Sequence, residues 1–105
     1  MAGQAVGIIE VFGLTCAFVA ADAGCKAANV TLEPFDKNKP ANAEKLPVPN
    51  IICVKFRGSV VDVTAAIEAA QQAAEKMTGV VSKHVIARPV EDTEMMFKIN
   101  AFDKN

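Results

Sequence analysis

Three cysteines carry the most distinctive chemistry in this 105-residue sequence, at positions 16, 25 and 53. They form no Cys-x-x-Cys motif, and their odd number provides no complete disulfide framework. A cytosolic protein normally keeps such thiols reduced, so we expect all three to be free. Cys16 and Cys25 fall in a predicted helix, where we expect both to be core residues.

Cys53 differs from the other two because it follows the least regular part of the chain. The segment 36–50 contains three prolines and no apolar periodicity, and it predicts a loop that is longer than an ordinary connection. A β-rich run, Ile51–Phe56, begins directly after it. The charged residues of the segment, such as Lys39 and Glu44, predict a solvated surface.

No other set of side chains has the spacing of a catalytic or cofactor site. His84 is the only histidine, and it lies in a predicted strand without a partner motif. Gly7 and Gly13 do not have the spacing of a phosphate-binding loop. Glu10 is interpreted as a structural residue at the end of the first strand. We therefore do not expect the monomer to be an enzyme.

Composition limits the partners of the chain. The net charge is −1 and no basic block is present, so we expect no nucleic acid partner. No apolar run approaches the roughly 18 residues that a membrane span requires, so we expect no membrane partner. The start Met1-Ala2-Gly3-Gln4 does not have the form of a signal peptide. With 51% hydrophobic residues in one predicted domain, 1–105, surplus apolar surface is expected to form subunit contacts.

The elements follow the order β-α-β-β-α-β. Their expected ranges are strand 4–11, helix 14–28, strand 30–35, strand 51–56, a helix opened by Ser59 and closed by Gly79, strand 82–87 and a short final helix 91–97. This order predicts an α+β, ferredoxin-like fold, in which two helices cover one face of an antiparallel sheet. The fold alone does not assign a function.

Periodicity predicts the buried face of each main helix. In the first helix, apolar residues recur at spacings of three and four, at Leu14, Phe18, Ala21 and Cys25. In the second helix, Ser59-Val60-Val61-Asp62 has the form of a capping box. Its predicted apolar stripe consists of Val60, Val63, Ile67, Ala70, Ala74 and Met77.

Several motifs resemble those of single-domain bacterial microcompartment shell proteins. The run Ala5-Val6-Gly7-Ile8-Ile9-Glu10-Val11-Phe12-Gly13-Leu14 is similar to the family's A-[LV]-G-[ML]-[IV]-E-x-x-G-L. Lys26-Ala27-Ala28-Asn29-Val30 is similar to its K-x-A-N-V, and Arg57-Gly58-Ser59-Val60 to its R-G-D-V. His84-Val85-Ile86-Ala87-Arg88-Pro89 is similar to its H-V-I-x-R-P. The matches cover about residues 5–35 and 50–90, in the same order as in the family.

The resemblance implies a structural role. Members of this family form flat homohexamers that tile with other shell hexamers around a bacterial organelle in the cytoplasm, and their central pore is taken to pass metabolites. It implies that Lys26, Asn29 and Arg88 form the contacts at the edge of the hexamer. Encapsulated enzymes are a further class of partner for such a shell.

The resemblance also places Val48, Pro49 and Asn50 at the pore, but the sequence departs from the family there. The family usually turns through a short Gly-Ser-Gly loop, because only small residues fit where six backbones crowd one axis. This loop is longer by about nine residues, so the lining and diameter of the pore are not transferable.

Cys53 leaves two alternatives open. Some divergent members, linked to glycyl-radical microcompartments, carry an iron–sulfur cluster at the pore, and such a cluster needs three or four thiolates. One chain cannot supply them near the axis, but a ring can, and this makes Cys53 the candidate metal ligand. The other reading is a buried strand thiol, about 10 Å along the strand from the pore tip.

A third alternative belongs to another class of protein. A small ferredoxin-like regulatory or ligand-binding module, such as a trimeric signalling protein, has the same element order. A trimer carrying a nucleotide would favour that interpretation over a shell hexamer.

Overall fold

The computed structural model describes residues 4–38, 41–45, 48 and 50–100. The elements are strand β1 (Ala5–Phe12), helix α1 (Leu14–Ala27), strand β2 (Thr31–Asn38), a 3-10 turn (Ala43–Lys45), strand β3 (Ile51–Gly58), helix α2 (Val60–Glu75), strand β4 (Val80–Ile86) and helix α3 (Glu91–Phe97). The strands form an antiparallel sheet in the order β2-β3-β1-β4. The predicted α+β fold is confirmed, including the short final helix.

The register between the two central strands sorts their side chains onto two faces. Ile9 pairs with Val54, and both are buried in the core that the sheet shares with α1 and α2. Ile8 pairs with Lys55, which projects to the opposite face because successive strand residues alternate. We call these the helix face and the open face; the open face is partly covered by α3.

The predicted buried stripe of α1 is wrong except at Ala21, which is buried. Leu14 and Phe18 are 45% and 60% exposed, and Cys25 is exposed rather than in the core. The buried residues are smaller: Cys16, Ala17, Ala20, Ala21 and Gly24. A methyl group at Gly24 would overlap the Phe56 ring, so close approach to the sheet decides which face of α1 is buried.

The second helix follows its prediction more closely. The Ser59 hydroxyl accepts a hydrogen bond from the Asp62 backbone N–H at 3.1 Å, which confirms the N-terminal cap. Most of the predicted stripe is buried, but Val60 and Met77 are exposed. The helix ends at Glu75, and Gly79 (φ 104°) makes the turn into β4.

The predicted loop 36–50 begins later than expected. Residues 36–38 extend β2 and pair with residues 51–53 of β3. A shift in register lies between Glu33 and Asp36, where Pro34 cannot donate to the ladder. Polar residues are compatible with this position because β2 is an edge strand, which is largely exposed. Strand β4 is also displaced from its predicted range, since it runs from Val80 to Ile86 and not from 82 to 87.

Two cations on the open face hold α3 against the sheet. The Arg57 guanidinium, only 6% exposed, donates to both carboxylate oxygens of Glu94 at 2.5 and 3.0 Å, and to Glu33 at 2.8 Å. The Lys55 ammonium donates to the carbonyls of Phe97 and Ile99, both at 2.8 Å. Both cations also lie near the Phe97 ring, at 5.4 and 5.5 Å from its centroid. We call this arrangement the α3 clamp.

The clamp makes the docking of α3 dependent on pH. The hydrogen bond from Arg57 holds the pKa of the Glu94 carboxyl below its ordinary value of 4.5. A carboxylate with a lowered pKa in the folded state contributes stability that is present above its unfolded pKa. That contribution is lost as the pH falls through the folded value.

Replacing Glu94 should therefore loosen α3 without disturbing the core. We expect Glu94→Gln to lower the free energy of unfolding by about 1–3 kcal/mol at neutral pH, because Arg57 loses its bidentate partner in a mostly buried position. Hydrogen exchange of the α3 amides should accelerate much more than that of β1. The difference from the wild type should shrink below pH 4.5, where the wild-type carboxyl becomes protonated.

The matched control is Glu91→Gln, which removes the same charge from an exposed position on the first turn of the same helix. Equal effects of the two substitutions would show that the charge of the helix, and not the clamp, holds α3.

Candidate functional site

Strand pairing places the two groups of candidate residues at opposite ends of the sheet. At one end, Ala5 pairs with Gly58, and Val6 pairs with both Arg57 and Ile86. We call this the Asn29 end, because α1 finishes there. At the other end, Phe12 pairs with Ile51; we call this the Asn50 end. An eight-residue strand separates the two ends by roughly 25 Å.

The three candidate edge residues lie together at the Asn29 end. Lys26 is in the last turn of α1, Asn29 follows that helix, and Arg88 comes two residues after β4. All three are exposed. The Asn29 backbone N–H donates to Asp62 at 3.3 Å, which ties the end of α1 to the start of α2.

Lys26 has an intrachain partner for its charge. Its ammonium lies 2.7 Å from the Asp22 carboxylate one turn earlier, and this hydrogen bond raises the pKa of Lys26. Both side chains are largely exposed, so solvent screens the pair. The pairing offsets the positive charge locally, which reduces the repulsion that a second Lys26 would meet on the same surface.

The Asn50 end contains two of the three candidate pore residues. The Gly13 N–H donates to the Asn50 carbonyl at 2.9 Å, and Gly13 has a φ of 88°, which suits glycine at this turn. Val48 packs against the same turn, since one of its methyl carbons would lie 3.2 Å from a Cβ at Gly13. Asn50 is exposed and Val48 is half-buried. Pro49, the third candidate, lies outside the described residues.

Cys53 lies on the open face in a row of acidic neighbours. It is paired with Glu10 on β1 and with Asp36 on β2. Burial raises the pKa of the Cys53 thiol to about 11, and Glu10 adds to the shift. This environment favours the protonated thiol, whereas a metal ligand must be a thiolate. Within the part of the chain that the structure describes, no group of three or more His, Cys, Asp or Glu residues is placed to hold a metal ion.

The other singled-out side chains have ordinary environments. Cys16 is buried as predicted, whereas Cys25 is exposed. Partial desolvation of the Cys25 thiol, followed by the charge of Asp22, raises its pKa. Glu10 accepts a hydrogen bond from the Ser82 hydroxyl at 2.6 Å, in keeping with a structural role. His84 is exposed on β4.

Two features were missed by reasoning from the sequence. The α3 clamp had one usable signal, which is that Lys55 interrupts an apolar strand between Val54 and Phe56. The second feature is an apolar groove between α1 and β2, in which the rings of Phe18 and Phe35 have centroids 5.2 Å apart. Helical periodicity places Phe18 on the buried face of α1, so the sequence gives no signal that its ring lines an exposed groove.

The helices within residues 4–38, 41–45, 48 and 50–100 are too short or too polar to cross a membrane.

Comparison with known proteins identifies the family. Residues 5–89 match the model of the BMC domain. The chain is 37% identical over 97 residues to the carboxysome shell protein CcmK2 of Synechococcus elongatus, covering 90% of this chain and 86% of that protein. It is 38% identical over 94 residues to the bacterial microcompartment shell protein PduA of Citrobacter freundii, covering 90% and 91% of the two chains.

A solved structure supports the fold. The crystal structure of a microcompartment protein from Desulfitobacterium hafniense superposes with a TM-score of 0.70 at 23% identity. The match covers 95% of this chain and 49% of that longer chain, so it spans about half of the other protein. Together with the sequence matches, these findings show that the chain belongs to the BMC-domain family and is a structural shell protein of bacterial microcompartments.

Proposed function

We propose that six copies of this chain form a ring with the Asn50 end at its axis and the Asn29 end at its rim. Such rings would tile with other shell hexamers in the bacterial cytoplasm, around encapsulated enzymes, and metabolites would pass through the central pore. One observation carries the proposal: the candidate pore residues and the candidate edge residues lie at opposite ends of one sheet. Family membership favours this shell over the regulatory module.

The Asn29 end has the properties of a rim contact. Lys26 is exposed, and its charge is offset by Asp22 of the same chain, so its aliphatic stem can pack against a neighbour. Val61, which is 79% exposed near the start of α2, adds an apolar surface at the same end. A rim that combines apolar surface with locally offset charge can meet its own copy across a two-fold axis.

The Asn50 end lacks the glycine-rich turn typical of the family. Asn50 is exposed and held by Gly13, so its amide side chain is a candidate for the pore lining. A ring of six amides would present neutral donors and acceptors rather than the bare backbone that a glycine loop offers. We propose a polar, uncharged constriction at this position.

Lys26→Ala should leave the hexamer intact and impair its assembly into sheets. The substitution removes the aliphatic stem of Lys26 and its ion pair with Asp22 from the rim, and it changes no residue at the Asn50 end. Native mass measurement should give the same oligomer as the wild type, while electron microscopy should show fewer or smaller sheets. Lys76→Ala is the control, since Lys76 is an exposed lysine at the far end of α2. Sheets from Lys26→Ala that equal those of the wild type would contradict the rim role.

The alternative function is electron or cluster transfer through an iron–sulfur cluster that Cys53 residues from several subunits hold at the pore. This alternative would make the chain a divergent member from a glycyl-radical microcompartment. The position of Cys53, two residues into β3 from the Asn50 end, supports this alternative. The raised pKa and the two carboxylates beside the thiol oppose it.

We expect the pore to contain no iron–sulfur cluster. After anaerobic reconstitution with iron and sulfide, wild type and Cys53→Ser should contain equal iron per hexamer and show no paramagnetic signal on reduction, because the protonated thiol is a poor ligand. Cys16→Ser and Cys25→Ser are the controls. Iron that is bound by the wild type and lost only in Cys53→Ser would establish the cluster and reject a pore without one.

A further inference from the structure

The groove between α1 and β2 is an apolar surface on one side edge of the sheet, which we call the β2 flank. Leu14 and Phe18 from α1 and Pro34 and Phe35 from β2 form its walls, with Asn100 beside them. Phe18 stays exposed although the centroid of its ring lies 5.2 Å from that of Phe35. Contiguous exposed apolar surface of this kind marks a site of interaction.

A second group of exposed apolar side chains lies at the other edge of the sheet, which we call the β4 flank. Met77 and Val81 are 46% and 42% exposed, and they lie on either side of the Gly79 turn that leads into β4. The Thr78 hydroxyl donates to the Phe12 carbonyl at 2.6 Å, which fixes this turn at the Asn50 end. The two edge strands are roughly 14 Å apart, and neither Met77 nor Val81 lines the groove of its own chain.

The proposed ring brings the two flanks of neighbouring subunits together. Its strands run from the axis to the rim, and the molecule is thin, with extents of 40 × 32 × 20 Å. In a flat ring of such molecules, the sheet and its helix layer are stacked along the axis, so the β2 flank of one subunit faces the β4 flank of the next. A cyclic ring repeats this head-to-tail contact at every subunit boundary.

Side chains, and not paired edge strands, must make this contact. Neighbouring subunits of a six-fold ring are rotated by about 60°, so radial strands diverge, whereas a ladder needs strands about 4.8 Å apart along their length. The flanks are therefore closest near the axis. The groove begins there with Leu14, the first residue of α1, and β4 begins there with Val80, which pairs with Val11.

We propose that Met77 of each subunit inserts into the groove of the next subunit in the ring, while Val81 packs against Leu14 at the mouth of that groove. This inference rests on the proposed ring and names the surface that holds neighbouring subunits together. A methionine suits the groove because its flexible side chain fills irregular gaps and its sulfur makes favourable contacts with aromatic rings. Phe18 and Phe35, with planes tilted by 59°, offer both ring edges and faces to the thioether.

The charges of the two edge strands also favour this pairing. Strand β4 carries one formal charge, on Lys83, whereas β2 carries the carboxylates of Glu33 and Asp36 and the ammonium of Lys37. The two edges therefore have net charges of opposite sign. Such complementarity favours a contact between the β4 and β2 flanks over a contact between two copies of the same flank.

Met77→Asp should dissociate the ring, because a carboxylate cannot enter an apolar groove without losing its hydration. Native mass measurement at micromolar concentration should show the hexamer fraction falling several-fold, with the helical circular dichroism of the wild type. Met95→Asp is the matched control, since Met95 is an exposed methionine on α3, away from both flanks, and it should keep the hexamer.

Cross-linking identifies the partner surface while Met77 and Phe18 stay in place. The test chain carries Leu14→Cys and Val81→Cys together with Cys25→Ser and Cys53→Ser; the remaining Cys16 is buried. A short bifunctional maleimide, added to dilute hexamers, should give a ladder of covalent oligomers that ends at six chains. Chains with Leu14→Cys alone or Val81→Cys alone in the same background should give no covalent dimer.

Three results would overturn the inference. A wild-type proportion of hexamer in Met77→Asp would show that the groove does not need this side chain. Hexamers of the Leu14→Cys/Val81→Cys chain that give no ladder would separate the two flanks. Covalent dimers from Val81→Cys alone would show that two β4 flanks meet each other. In each case the ring itself would stand, whereas a wild-type chain that stays monomeric would reject the proposed function as well.

Discussion

The eight-residue antiparallel pairing of β1 with β3 is the constraint on which the rest of the structure depends. The register places Ile9 and Val54 on the helix face and Lys55 on the open face. The same pair of strands therefore contributes to the core and to the α3 clamp. It also fixes which connections meet. Because the strands are antiparallel, the turn at Gly13 must lie beside Asn50, while the end of α1 must lie at the other end of the sheet. The two ends of that pairing are the ends that we propose as the axial end and the rim end of the tile.

The helix face of the sheet is stabilised by close apolar packing, and the open face by buried ion pairs and hydrogen bonds. The helix face relies on close packing of small side chains, with Gly24 of α1 against the Phe56 ring. The open face buries Lys55 and Arg57, whose charges are acceptable only because carboxylates and helix-terminal carbonyls surround them. The lysine also binds carbonyls at the C-terminal end of α3, where the helix dipole favours a cation. Loss of α3 would therefore leave the Lys55 ammonium without its two carbonyl acceptors, and Arg57 with Glu33 of β2 as its remaining carboxylate partner.

Much of this could be predicted from the sequence, and the failures have physical causes. Local signals located each α-helix and each strand that the structure describes, whereas the 3-10 turn Ala43–Lys45 lies within the segment predicted as a loop. The buried face of α1 was predicted wrongly because periodicity ranks Phe18 above Ala17, whereas contact with the sheet selects the smaller side chain. The clamp was missed because Lys55 and Phe97 are 42 residues apart and no local pattern pairs them. The candidate edge residues came from a resemblance; only the fold could show that they share one end.

The distance of each end of the sheet from the ring axis tests the account most directly. In a symmetric ring of six subunits, the distance between the same position in two neighbouring subunits equals the distance of that position from the axis. Spin labels would be placed on Cys25 in Cys53→Ser and, separately, on Asn50→Cys in Cys25→Ser/Cys53→Ser; Cys16 is buried. Dipolar spectroscopy should give a shorter neighbour distance at position 50 than at position 25. An equal or longer distance at position 50, or no distance between subunits at either position, would contradict a ring with its pore at the Asn50 end.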